Sequence, residues 1–289
     1  MQYAVTAIYI SSLCLCAFVR YLVFEHDIMR QMAIIVNLWK ATVIQAMEYR
    51  ASFVFAIVAN FFDFIFGLLQ YLVFFTAAKS IAGWEADHML VLYGVFMLVF
   101  ALHFILLYPN LVAMGDMVNS GNLDLLLTKP VDSQLIISFR RISLEELGSI
   151  GTATILLGWL LYRGVIVFDI GNFLLFGVSM VSSLLLVYCV FVLLICLAVI
   201  MERLDNMSQL LWSLFALCRY PVDIYPDRIR YAFMSFLPVA FIATIPASAL
   251  LGRSDSATVW HGFAMAVVAV LFCSWLWRRA IGAYTSAGG

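Results

Sequence analysis

The chain has 289 residues, of which 65% are apolar and only 11% charged; its formal net charge is −1 and its mean hydropathy +1.04. Soluble domains average about 45–50% apolar and about 25% charged residues, so a water-facing surface over most of the molecule is excluded and lipid must be its main solvent. The near-neutral balance offers no footprint for nucleic acid.

A helix that crosses the hydrocarbon layer needs about 20 mostly apolar residues. The first apolar run, Met1–Phe24, carries only Arg20. It lacks basic residues ahead of the apolar stretch and a small-residue cleavage site, which argues against a secretory signal. Three readings stand for this extension (residues 1–28): an extra N-terminal helix, an interfacial segment, or a piece upstream of the functional core. Residues 29–289 then read as a single transmembrane domain. In Glu25–Arg50, Met29, Met32, Ile34, Ile35, Leu38, Trp39, Val43, Ile44 and Met47 recur at helical spacing among charges. That pattern predicts an amphipathic helix in the interface plane, with an ordinary connector helix as the alternative.

Six core spans follow, at about 51–78, 88–112, 143–163, 171–201, 206–222 and 256–277. The fifth is the least regular. The run 206–218 is short, and 231–252 is long enough but holds Pro238 and Pro246. Proline removes a helical donor and clashes with the preceding turn, and broken helices survive at membrane depth only where protein or water covers them. Residues 206–222 therefore read as the span and 229–252 as a pair of short re-entrant helices. The alternative makes 231–252 the span and the shorter run interfacial. Both give six core spans, with both core termini on one side. Arg30, Lys40, Arg50, Lys129, Arg140, Arg141, Arg203, Arg278 and Arg279 fall on that side. Lys79, Arg163, Arg219, Arg228, Arg230 and Arg253 fall on the other. The larger basic set places the core termini in the cytoplasm.

Catalytic signatures are missing. There is no G-x-x-x-x-G-K-[ST], so the chain does not hydrolyse ATP through a P-loop. There is no G-x-S-x-G elbow, no H-E-x-x-H, and the four histidines are scattered. The six cysteines lie in apolar runs and read as buried structural thiols, so no metal is expected.

The most informative polar stretch is the loop 114–134, between the second and third spans. Gly121 and Asn122 permit a sharp turn, and Asn122 or Asp124 can cap a short helix through Leu125–Leu127. Pro130 redirects the chain, and Asp132 or Ser133 can cap the next helix. This predicts a short amphipathic helix exposed to the cytoplasm; a plain loop is the alternative.

The run Gly121-Asn122-Leu123-Asp124-Leu125-Leu126-Leu127-Thr128-Lys129-Pro130-Val131-Asp132 resembles the G-x-L-D-x-x-L-x-[KR]-P-[VI] signature of ABC-2-type exporter permeases. Tyr49-Arg50, Arg219-Tyr220-Pro221-Val222-Asp223-Ile224-Tyr225-Pro226, Phe236-Leu237-Pro238 through Pro246-Ala247, Leu250-Leu251-Gly252, Trp275 and the closing Tyr284-Thr285-Ser286-Ala287-Gly288 agree in order. The resemblance covers about residues 33–288.

It implies an all-α polytopic fold with six core spans, an interfacial elbow helix before the first and re-entrant helices between the fifth and sixth. It also implies a bacterial inner-membrane location and export without enzyme activity in this chain. The partners it implies are separate ABC ATP-binding subunits that carry the ATP and Mg, and a second permease, identical or different. Coupling to the ATPase would fall on Gly121, Leu123, Asp124, Leu127, Lys129 and Pro130.

Polar residues inside a span are costly and often functional. Asn60, Asp63 and Gln70 share one face of the first core span. They are candidates for the translocation path, where Asp63 would favour cationic or amphiphilic cargo; a helix–helix hydrogen-bond contact reads the same stripe. Arg219, Tyr220, Pro221, Asp223 and Tyr225, with Asp227, Arg228 and Arg230, form a charged cluster that is a candidate outer gate. A network that ties down a loop is the alternative. His103, in the second span, reads as a hydrogen-bonded packing residue. The rival function is a stand-alone secondary transporter or channel, which would need coupling-ion sites near the midplane and often shows repeats; no repeat is evident. The cargo itself is not legible in the residues.

Overall fold

The computed structural model describes residues 29–283 apart from 49, 78, 121, 130, 202–206 and 236–238. The extension over residues 1–28 therefore lies outside the described residues, as do Tyr49, Phe236–Pro238 and the closing Tyr284–Gly288 stretch. The structure is 84% helical. Its only described strands are a two-residue antiparallel ribbon, β1 (Ser80–Ile81) and β2 (Trp84–Glu85). Ala82 at φ 50° and Gly83 at φ 83° make the tight two-residue turn between them.

Helix α1 covers 29–48. The other helices are α2 (Arg50–Ala77), α3 (Ala86–Leu106), α4 (Tyr108–Asn119), α5 (Asn122–Leu127), α6 (Ser133–Phe139), α7 (Leu147–Tyr162) and α8 (Ile170–Met201). They continue with α9 (Met207–Cys218), a 3-10 turn (Val222–Ile224), α10 (Asp227–Ser235), α11 (Val239–Ile242), α12 (Thr244–Leu250) and α13 (Ser256–Ala283). Four stretches are long and apolar enough to cross a membrane: Arg50–Thr76, Ala86–Leu106, Ile170–Leu197 and Ser256–Gly282. Leu147–Tyr162 and Gln209–Cys218 are shorter apolar helices. Inside lipid an unpaired backbone amide has no water to turn to, so apolar runs of this length close their hydrogen bonds internally as helices.

The helices form a bundle around α3, whose apolar stretch is 72% buried against 11% for that of α2 at the periphery. Helix α7 packs along α3, α13 along α8, and α11 and α12 against α8. At one end, the start of α3 meets the end of α7 through Asp87 and Arg163, 3.5 Å apart. Gly252, at φ +67°, sits so close to Asn172 that a Cβ there would collide. At the opposite end, Trp277 Nε1 donates to Ser133 Oγ (3.1 Å), and Gln134 Nε2 donates to the Tyr188 hydroxyl (3.0 Å).

Two prolines break the apolar helices, and in both cases the freed carbonyl finds a tertiary donor. Pro109, near the start of α4, cannot donate to Ile105 four residues back. The backbone N–H of Ser143 does so instead, at 3.0 Å. Beside it, the buried Asn110 carboxamide donates to Leu106 O (3.0 Å) and Arg141 O (2.9 Å) and accepts from Arg141 N–H (2.9 Å). Pro246 lies in the first turn of α12 and leaves the Ile242 carbonyl free; Ser183 Oγ of α8 donates to it at 2.6 Å. These donors are what allow irregular backbone to be buried.

The expectations need four adjustments. The run 88–112 is not one helix: it breaks at Leu107 because Pro109 cannot continue the ladder. The segment 229–252 folds as three helices, α10 to α12, and the break between α11 and α12 is at Ala243 (φ −131°). Asn122 is the first residue of α5 instead of preceding it, while the next helix is capped by Asp132, whose carboxylate accepts from Leu135 N–H at 3.0 Å. His103 is buried between the Phe104 and Phe215 rings, and neither ring nitrogen has a hydrogen-bond partner among the described residues. Cys189, Cys196, Cys218 and Cys273 are free and buried.

Candidate functional site

The polar face of α2 opens on a cavity of ≈ 450 Å³ between α2, α3, α7 and α9. Asn60, Asp63 and Gln70 all line it, together with Tyr93, Glu146, Ser149 and Arg219, and aromatic walls come from Phe96, Phe100, Trp212 and Phe215. Helical spacing brings the three α2 residues to one side, and Gly67 between them leaves room for the Tyr93 ring, whose hydroxyl donates to Phe64 O at 3.1 Å. A side chain at Gly67 would occupy the space of that hydroxyl.

The three polar residues of α2 differ in what they do. Asn60 Nδ2 donates to Glu145 O at 2.6 Å and ties α2 to the start of α7. Gln70 bridges two groups: its Nε2 donates to the Tyr220 hydroxyl at 2.9 Å, and its Oε1 accepts from Arg219 Nη1 at 3.3 Å. Asp63 is exposed to the cavity and has no hydrogen bond or ion pair among the described residues. Glu146 accepts from Ser149 Oγ at 2.6 Å on the facing wall. The cavity thus offers two carboxylates, one guanidinium, two amides and aromatic surface, a lining that suits an amphiphile with a polar or cationic head.

The residues expected at the outer mouth divide into two groups. Arg219 turns inward to Gln70, and its backbone carbonyl accepts from the Tyr71 hydroxyl. Tyr220 packs edge-on against Phe74, and Pro221 is buried. Asp223 and Asp227 instead hold Arg230, at 3.8 and 2.9 Å. Asp223 also accepts from Trp84 Nε1 at 2.9 Å, which ties the 3-10 turn to the β1–β2 ribbon. Tyr225 packs on Phe233 with ring centroids 5.1 Å apart. Arg253 lies over Trp84 at 5.6 Å and donates to Gly83 O at 3.1 Å.

At the other end, α4, α5 and α6 form the loop expected to couple. Gly121 and Pro130 lie outside the described residues. Leu123 is fully buried and Leu126 nearly so, Asp124 and Leu127 are half-buried, and Lys129 is exposed. Leu123 therefore anchors α5 to the protein, and the face it leaves outward is led by Leu125, which is 65% exposed.

Sequence reasoning had not singled out Leu125, Glu146, Ser149 or Tyr93. Leu125 was hidden in a row of three leucines. Glu146, in Leu144-Glu145-Glu146-Leu147, looks like an ordinary acidic helix start.

A bundle of long apolar helices around a part-polar cavity, with broken and buried short helices at one end and a short capped helix at the other, defines a multi-pass membrane protein of the transporter class. The family described as ABC-2 family transporter protein matches residues 61–288. The chain belongs to that family, whose members are membrane permease components of ABC transporters. No curated protein and no solved structure matches the chain.

Proposed function

We propose that this chain is the transmembrane subunit of an ATP-driven exporter and forms its translocation path. In this reading α2, α3, α7, α8, α9 and α13 are the six core spans, α1 is the elbow helix and α10–α12 are re-entrant. Both core termini face the cytoplasm of a bacterial inner membrane. Separate ABC subunits bind ATP and Mg and press on α5. A second permease, identical or different, closes the cavity on the α2 side, where the apolar surface is least covered.

The observation that carries the reading is the ≈ 450 Å³ cavity with Asp63 unpaired on its wall. A carboxylate at membrane depth is expensive unless it meets a partner or water, and a cationic or amphiphilic cargo would supply that partner. Motion at α5 has a material route to this cavity. Helices α4 and α6 flank α5, Asn110 clamps α4 to Arg141, and the chain then runs directly to Glu145 and Glu146, which meet Asn60 and the cavity.

One observation favours the rival secondary transporter: Glu146 joins Asp63 in the same cavity, and paired acids are common in proton-coupled carriers. Retrieval of the tagged chain from its native membrane separates the two. The exporter reading expects a soluble P-loop ATPase to come with it and to hydrolyse ATP faster with the chain than alone. A chain that purifies alone and transports down a proton gradient without ATP supports the rival.

A further inference from the structure

A second cavity, of ≈ 530 Å³, lies between α1, α4, α5 and α6. Among the described side chains its charge is one-sided. Lys129, Arg140 and Arg141 line it, and no described Asp or Glu does. None of the three has an ion pair among the described residues, where the salt bridges involve only Arg163 and Arg230 on the cation side.

Arg140 is the most telling. It is half-buried, and its guanidinium donates at 2.9 Å to the thioether sulfur of Met117, a weak acceptor for a full charge. Burial, and then the adjacent Arg141 charge, push its pKa below the usual arginine value, as expected for a cation without a compensating anion. Apart from the polar Ser120 and Asn122, the rest of the wall is apolar, with Leu38, Met117 and Leu126 among it.

The cavity's depth in the membrane is set by α1. Trp39 Nε1 donates to Phe139 O at 2.6 Å, which docks α1 on α6, while Met29, Met32, Ile44 and Met47 form an apolar row facing away from the protein. A helix with one row on protein and another row bare, interleaved with Arg30 and Lys40, lies at the headgroup boundary. Basic pockets at that level take phosphate headgroups.

We propose that this cavity binds one anionic phospholipid, with its phosphate held by Arg140, Arg141 and Lys129 and its first acyl carbons lying on Leu38, Leu126 and Met117. The lipid would wedge between the elbow helix and the segment that carries α5. This proposal does not depend on the cargo or on the motor.

The test uses the full chain purified in mild detergent, titrated with phosphatidylglycerol, phosphatidylcholine or inorganic phosphate, and read by native mass spectrometry and thermal shift. The expected result is one retained phosphatidylglycerol and a raised melting temperature, with no comparable effect of the other two. The double variant R140Q/R141Q should bind about thirtyfold more weakly and K129Q about fivefold. R140K/R141K, which keeps the charge, should retain binding even if the glutamine variant does not fold. R279Q, which removes a cation outside the cavity, should bind as the parent does. Equal retention of phosphatidylcholine, an equal response to inorganic phosphate, or undiminished binding in K129Q and a folded R140Q/R141Q would overturn the proposal. No retained lipid in any arm would also overturn it, and would make the three cations a protein-docking surface.

Discussion

Ser183 of α8 gives its hydroxyl hydrogen to the Ile242 carbonyl, at 2.6 Å, and so occupies the acceptor that Pro246 leaves vacant. Ile242 and Ser183 are both essentially fully buried, so no water stands in when the donor is lost. Ser183→Ala should therefore lower stability by about 1 kcal/mol, the scale of interhelical hydrogen bonds in membranes. Pro246→Ala restores an N–H four residues after Ile242 and should recover part of that loss in the Ser183→Ala background. Thermal unfolding of the single and double variants in detergent checks this. Strict additivity of the two changes would contradict it.

The Asn110–Arg141 clamp makes a stronger demand. One buried carboxamide satisfies both the N–H and the C=O of Arg141. Asn110→Leu keeps the branched shape of the side chain but leaves both groups unpaired, at a cost of about 2–3 kcal/mol. Asn110→Asp keeps the acceptor but sets a buried carboxylate against the Leu106 and Arg141 carbonyls, and should cost at least as much. Limited proteolysis across 140–146, compared with melting temperature, measures the release of this linker; protease resistance equal to the parent would show that the clamp is not what holds it.

Leu123 and Leu125 sit two residues apart and should behave as opposites. Leu123 is fully buried, so Leu123→Ala opens a cavity and should cost about 3 kcal/mol. Leu125 is exposed, so Leu125→Asp should leave the stability within about 0.5 kcal/mol of the parent while it weakens contact with the ATPase. Expression and thermal stability separate the two; a destabilising Leu125→Asp would mean that α5 packs differently.

Much of this was legible in the sequence because lipid makes apolarity nearly synonymous with helix. The long runs under α2, α8 and α13 needed only counting. The breaks were legible in kind, since Pro109 and Pro246 are visible, but their partners were not: Ser143 and Ser183 are remote in sequence from the carbonyls they satisfy. The polar stripe of α2 was legible from spacing alone. Its facing wall was not, because Glu146 and Arg219 reach the cavity only through packing of α7 and α9. The different partners of Arg219 and Arg230 were not legible for the same reason: Arg219 donates to Gln70, while Arg230 pairs with Asp227.

Asp63 separates cargo recognition from helix contact. It makes no bond that Asp63→Asn would break, so the variant should fold with unchanged stability. ATP-driven uptake of a cationic amphiphilic dye into inverted vesicles should fall by about tenfold, the loss of one partly desolvated charge contact. Unchanged dye uptake would remove Asp63 from the path. Asn60→Ala, by contrast, breaks the bond to Glu145 and should lower stability by about 0.6 kcal/mol.

The central claim is that a separate ATPase drives this permease through the outward face of α5. The direct measurement is ATP hydrolysis and cargo export recorded together, in proteoliposomes that hold the chain with its co-purified ATPase, for the parent and for Leu125→Asp. The account predicts that the parent couples the two, and that Leu125→Asp keeps its fold and loses most export per ATP hydrolysed. Export by the chain alone without ATP, or an unchanged export-to-hydrolysis ratio in the variant, would contradict it.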